Sequence, residues 1–396
     1  MTLDPHPVWP FSPNWNTPVA QVREWLTDIL TSPTGAEQRI ARRPRPRRYV
    51  EFDVALIDRE RAYADNLMDT YGSSDWWLPL WFEANMSQGT IDPGDVSITL
   101  DKQFLGLGPA VIWQSPFRCE VVEVTAMSGN TLTLDSPVAN LYTSPTYVFP
   151  AVASFIADQP RFTKQSDKVW TGEMRFSLKD RDNVGLPPAL TPSYLNFPVF
   201  DTPPDETERL TVSYERMLDE LDNKVAHPVY NDTADRPFSL YKYKWTVIGR
   251  PAVRDFEQFT NGLVGRQKPV WMPTFHSDFD IISATTTTLT VADTGYLITG
   301  GPRRDKQHIR IYTTAGTFYR RITNATIVGQ NERLTLDSPL PITLTPSNTI
   351  QISFMSLVRL NSDTLQMEHL TDTQGVMTCE AIFRSAPDLR TTGTII

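Results

Sequence analysis

Apolar positions follow two rhythms along this chain, and the rhythms succeed one another in the same order twice. Between Thr17 and Ser32, apolar residues recur at Val19, Val22, Leu26, Ile29 and Leu30, with Trp25 beside them. That stripe, with Thr17 as a cap and Pro18 in the first turn, predicts a helix. Tyr49 to Leu56 alternates apolar and polar and predicts a strand. A second helix is predicted from Asp58 to Tyr71, stopped by Gly72. Trp76-Trp77-Leu78-Pro79-Leu80-Trp81 reads as an extended aromatic segment. Short strands and turns fill residues 91–150, and Met174-Arg175-Phe176-Ser177-Leu178 reads as a closing strand.

The second half repeats this order. Arg236-Pro237 matches Arg43-Pro44, and Tyr241 to Ile248 matches the strand around Phe52-Asp53-Val54-Ala55. A helix is predicted from Pro251 to Leu263, with Val253, Phe256, Phe259 and Leu263 facing inward. Val270-Trp271-Met272-Pro273-Thr274-Phe275 matches Trp77-Leu78-Pro79-Leu80-Trp81, a β-rich block spans 281–353, and Thr378 to Phe383 closes the half. One hexapeptide, Leu-Thr-Leu-Asp-Ser-Pro, stands at 132–137 and again at 334–339. Trp77 and Trp271 match at an offset of 194 residues and the hexapeptides at 202, a drift that fits loop insertions. The expected architecture is therefore mainly β (α+β), a tandem duplication. Its parts are an N-terminal half, 1–184, with a β-rich block at 91–150; a proline-rich connecting segment, 185–235; and a C-terminal half, 236–396, with a block at 281–353. Within the connecting segment, Leu210 to Asn223 reads either as an acidic helix or as a strand followed by a loop.

Composition narrows the function classes. With 396 residues the chain is too long for one core. Its 32 prolines and 11 % aromatic residues suit a β-rich protein with long connections. A net charge of −9 disfavours a general nucleic-acid binder. Two cysteines, Cys119 and Cys379, give neither a disulfide framework nor a CxxC site. No secretory signal and no apolar run of spanning length are present, so synthesis and assembly in a cytosol are expected.

Catalytic signatures are absent from the text. No HExxH, GxSxG, P-loop or GxGxxG occurs. Phe104-Leu105-Gly106-Leu107-Gly108 reads as an ordinary turn. His276 with Asp278 and Asp280 is the best candidate for a metal cluster, although alternating aspartates on a strand end more often form a solvated edge. Cys119 reads as a small core residue. No enzyme, cofactor or metal is expected.

Two features suggest surfaces. Six arginines, Arg39, Arg42, Arg43, Arg45, Arg47 and Arg48, fall within ten residues. They can contact an acidic protein neighbour, pair with the chain's own carboxylates, or bind phosphate. Trp9 and Trp15, among prolines near the N-terminus, are candidate interface anchors. The interface candidates are thus Trp9, Trp15, Arg42, Arg43, Arg45, Arg47 and Arg48.

The opening Pro13-Asn14-Trp15, then Glu24-Trp25-Leu26-Thr27-Asp28-Ile29-Leu30, Gly35-Ala36-Glu37-Gln38-Arg39 and Pro46-Arg47-Arg48, resembles tail-tip or baseplate virion proteins of long non-contractile-tailed bacteriophages. Asp222-Asn223, Arg236-Pro237, Trp245, Gly249-Arg250 and Trp271-x-Pro273 extend the likeness over nearly the whole chain. The resemblance implies a hub-like split β-barrel with a helix in each half, each carrying an inserted small β-barrel. It implies a distal-tail or upper-hub ring in the virion that joins the tail tube to a receptor-binding tip and lets DNA pass. Its partners would be the tail tube protein, other baseplate or hub proteins, and copies of itself. A homotrimer with pseudo-six-fold symmetry is favoured, with a homohexamer as the alternative. No membrane anchor is implied, and the family supplies no catalytic residue. The second reading is a carbohydrate-binding tail module at the host surface.

Overall fold

The computed structural model describes residues 6–103, 106–179, 191–207, 210–302 and 306–386. Phe104 and Leu105 of the glycine turn, and the first residues of the connecting segment, lie outside them. The protein is mainly β, with 52 % strand and 8 % helix. Among the described residues, twenty-two strands join in one antiparallel network that closes no barrel. The closed barrels implied by the family resemblance are thus not formed among the described residues.

In the first half, strands Val19–Thr31 and Glu37–Ile57 form a long hairpin. The inner end of Glu37–Ile57 pairs with the closing strand Val169–Leu178. That strand pairs with the end of Tyr147–Ile156, which in turn carries Trp76–Pro79. The outer part of Tyr147–Ile156 continues into the β-rich block, where it pairs with Gly108–Ser115. The helix Arg59–Tyr71 stops at Gly72, as its sequence predicts, and buries Ala64 and Leu67. Trp9, Phe52, Val54, Trp76 and Phe176 fill the core.

The second half is assembled the same way. Phe238–Ile248 pairs with Val376–Ser385, which pairs with the end of Thr349–Leu360. Thr349–Leu360 carries Val270–Pro273 and runs out to pair with His308–Thr313 in its own block. The helix Arg250–Gly262 buries Val253, Phe256 and Thr260 against this sheet.

The Val19–Thr31 segment, expected as a helix, is a strand. It pairs with Glu37–Ile57 on one side and Thr364–His369 on the other, and residues on both of its faces are buried. Register shifts on either side of Leu26 break its alternation and leave apolar residues at a helix-like spacing. Tertiary pairing outweighs the local pattern. Residues 210–223 form no helix either: Thr211–Glu215 and Leu218–Leu221 are both strands.

The connecting segment is packed into the second half. Val199 bridges Trp271 in parallel, as Val8 bridges Trp77. Asp205 N–H donates to Lys244 O at 2.7 Å, as Asn14 N–H donates to Asp53 O at 2.9 Å. Thr211 pairs with Lys242 as Ala20 pairs with Glu51, and Leu218 pairs with Asp232 as Thr27 pairs with Ala41. Apart from Trp77 and Trp271, which are 194 apart, these matches share one offset, 191 positions, as Val8 and Val199 show. That register sets Arg236-Pro237 level with Arg45-Pro46, two residues along from the match read in the sequence.

The hexapeptides occupy matching places. Leu132 and Leu134, and likewise Leu334 and Leu336, point into the block cores. Asp135 N–H donates to Glu123 O and Asp337 N–H to Arg321 O, both at 2.9 Å. Each strand faces a bulge, between Val124 and Ala126 in one block and between Ile322 and Asn324 in the other. The bulged threonines, Thr125 and Thr323, both donate back to the partner strand, at 3.3 Å and 3.2 Å.

Candidate assembly interface

The first half meets the second through the hairpin 19–57. Its outer strand adds to Thr364–His369 over six residue pairs, from Val19–His369 to Glu24–Thr364. At the bulge, Trp25 leaves its own half and enters the second half's core beside Tyr243, Val264 and Leu365. Gly265 makes room for it, since a Cβ there would come within 2.7 Å of the Trp25 side chain. Trp25 N–H donates to Asp363 O at 2.9 Å. The Asp363 carboxylate accepts from Thr27 N–H and Thr27 Oγ1, both at 2.8 Å, and from Arg266 N–H at 3.0 Å. One carboxylate therefore clasps backbone from both halves.

Buried charge lines the same seam. Arg23 pairs with Glu257 on the second helix at 2.9 Å and donates to Asn261 at 2.9 Å. Gln21, with its amide nitrogen turned to Glu257, donates to that carboxylate at 2.7 Å and accepts from Arg48 at 3.0 Å. Burial alone would raise the Glu257 pKa; Arg23, His369 and Arg48 outweigh it and hold it below the usual carboxylate value. Burial, with Arg23 nearby, lowers Arg48 to about 10. His369 lies 3.3 Å from the Gln21 amide and stacks on Phe82 with ring centroids 3.8 Å apart. Burial, opposed by Glu257 and reinforced by Arg23, lowers His369 to about 4, so it is neutral at pH 7.

The arginine cluster divides along its strand. Arg39 pairs with Glu37 and donates to Arg266 O, while Arg384 and Arg359 reach the same Glu37 from the second half. Arg42 pairs with Asp28 across its own hairpin, and Arg43 donates to Glu24 O. Arg48 lies within the seam; Arg45 and Arg47 are exposed. Arg39, Arg42 and Arg43 thus serve intrachain contacts. Trp9 is not a surface anchor. It is fully buried, packed on Phe11, Trp76 and Phe176, with its indole N–H on Phe11 O. Trp15 is half-buried against the same core.

Other candidate chemistry does not converge. Asp278 accepts from Thr274 and Phe354 N–H, which uses it to fix a turn, while the His276 side chain is exposed. Among the described residues, no three His, Cys, Asp or Glu are grouped to hold a metal. Burial pushes Cys119 up to about 11 and Cys379 up to about 12, which keeps both as thiols. An open groove of about 690 Å³ is lined by Asp53, Asp158, Arg161 and Glu173 among others. Arg175 occupies two of its carboxylates, pairing with Glu51 at 2.8 Å and Asp158 at 3.2 Å.

The sequence signal missed was Asp363 with Trp25, a clamp of two residues more than 300 positions apart. Trp25 stood in the text as the one large residue beside the apolar stripe. Compared with known proteins, the chain matches no family model, and no curated protein matches it.

Proposed function

We propose that this chain is a structural protein of the tip or baseplate of a long non-contractile bacteriophage tail, built as two copies of one domain. The first copy starts near Val8 and the second near Val199. Residues 191–235 then belong to the second copy and are not a linker. The observation that carries this reading is the shared register: residues from Val8 to Leu56 take the same strand and hydrogen-bond positions as those 191 later, while their partners outside that span match at other offsets. Within the resemblance to tail-tip proteins, two copies per chain suit a ring in which three chains present six similar domains. Closed cyclic assemblies are the common form of soluble homo-oligomers. The ring would sit between the tail tube protein and the hub proteins of the tip, in virions assembled in the host cytoplasm. Net acidity keeps a DNA conduit from holding its cargo. The glycan-binding alternative loses support, because Trp9, Trp76 and Trp81 are all buried.

Immunogold labelling of intact virions tests this. Label is expected at the junction of tube and tip. Label along peripheral fibres, or virions lacking the chain by mass spectrometry, would reject the assignment.

A further inference from the structure

Two hairpins of this chain share one register, and among the described residues only the first is seated on a further strand. Thr211–Glu215 pairs with Phe238–Ile248 and, among the described residues, with no other strand. Its continuation, Leu218–Leu221 with Val229–Asp232, stands away from the body as a two-stranded arm. Tyr214 is 66 % exposed, Leu221 73 % and Val225 89 %. Arg23, which matches Tyr214, is 2 % exposed, and Trp25, which matches the exposed Arg216, is 3 %; the hairpin tips are alike, Leu30 being 65 % exposed where it matches Leu221.

The seat also has an unfilled copy. The first arm docks on Thr364–His369, a strand that makes a hairpin with Val376–Ser385. In the first half the corresponding hairpin is Arg161–Lys164 with Val169–Leu178. Leu370 N–H on Val376 O closes one hairpin and Gln165 N–H on Val169 O the other, both at 2.9 Å. Arg161–Lys164 has no second neighbour among the described strands. By the alternation of antiparallel pairs, the backbone groups of Phe162 and Lys164 face its open side.

We infer that the second arm of one chain docks on the Arg161–Lys164 edge of another copy, repeating the joint the first arm makes within the chain. This rests on the two-copy reading, not on a place in a virus. Transferring the register of the internal joint aligns Val212 with Phe162, Ser213 with Arg161 and Thr211 with Thr163. Pro160 falls opposite Tyr214 and withholds one donor, so Phe162 and Lys164 carry that ladder. Asp158 takes the place of Asp363, and Arg216 takes the place of Trp25. Arg216 now pairs with Asp232 and Asp158 with Arg175, so the guanidinium and the carboxylate would meet by exchanging these partners on docking. The acidic arm (Asp219, Glu220 and Asp222) meets an edge carrying Arg161 and Lys164. Strand addition of this kind gives affinity through backbone bonds. The joint is head-to-tail, so copies close into a ring or extend as a filament.

Ser213 and Arg161 occupy a non-hydrogen-bonded pair in this register, with Cα atoms about 4.5 Å apart. A disulfide spans that distance. Oxidised Ser213→Cys/Arg161→Cys full-length chain should give an interchain ladder ending in a closed species, with neither single variant doing so. Tyr214→Asp, at a site too exposed to disturb the fold, should weaken association at least tenfold by sedimentation while circular dichroism is unchanged. A chain that stays monomeric at high concentration with no Ser213→Cys/Arg161→Cys bond overturns the inference. So does Ser213→Cys alone forming dimers, since the arms would then pair with each other. Virion labelling is independent of both outcomes, so each proposal can fail without the other.

Discussion

The two hairpin arms share length and register, and they differ in what covers them. In the first, Ala20 to Arg23, Trp25 and Thr27 are buried; in the second, Ser213 to Arg216 and Leu218 to Leu221 are exposed. Backbone pairing is therefore common to both, and side chains decide the setting. The internal joint forms within one folding chain, so it can use an indole in an apolar core and a buried ion pair. A joint between separate chains has to stay soluble before it forms. Arg216 for Trp25 and Tyr214 for Arg23 suit that requirement, as do Pro160 and Lys164 on the receiving edge, which discourage wrong strand pairing.

The largest expected effect separates the arms directly. Trp25→Ala empties an indole site in the second half's core and should cost about 3–5 kcal/mol in denaturant unfolding. Arg216→Ala, at the equivalent position, should change the monomer's stability by no more than about 0.5 kcal/mol. Similar losses from the two substitutions would show that the arms are not differently seated.

Much of this asymmetry was beyond the sequence, for identifiable reasons. The strand Tyr49 to Leu56 and both helices of the core were legible because each buries one face against its own half, and both Trp-x-Pro strands because each is a short, wholly buried apolar run. Val19–Thr31 was not, because it is sandwiched between two strands and bulged, which erases period two. The likeness of the two halves was visible in the hexapeptide and tryptophans, which occupy cores. Its extent was not, since Val199, Asp205 and Thr211 match Val8, Asn14 and Ala20 through backbone bonds that leave little trace in side-chain identity. Of the surface candidates, exposed arginines were easy to notice but several of them serve the seam. Trp9 showed only that a tryptophan among prolines can be core.

A smaller effect tests the seam by pH. His369 titrates near 6.5 when unfolded and at about 4 in the folded chain. A depressed folded pKa means stability that is complete above pH 6.5 and is lost as pH falls toward 4. The linked loss is about 3 kcal/mol once both values are passed. His308, inside the second half, is lowered to about 4 as well, by burial first and then by Arg321, so it is the internal control. His369→Gln should flatten the acid limb of the stability profile and retain the loss due to His308. An unchanged limb would mean that the seam does not keep the imidazole neutral.

The smallest effect asks whether the two halves remain equivalent far from either arm. Thr125 and Thr323 sit on matching bulges and donate to Thr133 O and Thr335 O. Both are exposed, so water can replace most of what each hydroxyl supplies. Thr125→Val and Thr323→Val should each cost about 0.5–1 kcal/mol. The size matters less than the equality. The bulge bends the strand opposite Leu132-Thr133-Leu134 and Leu334-Thr335-Leu336, and the hydroxyl ties that bend to the same hexapeptide residue in both blocks. Matched losses in thermal unfolding would mean the repeated letters preserve one local structure. A clear loss at one site and none at the other would make the repeat a likeness of sequence without a likeness of energetics.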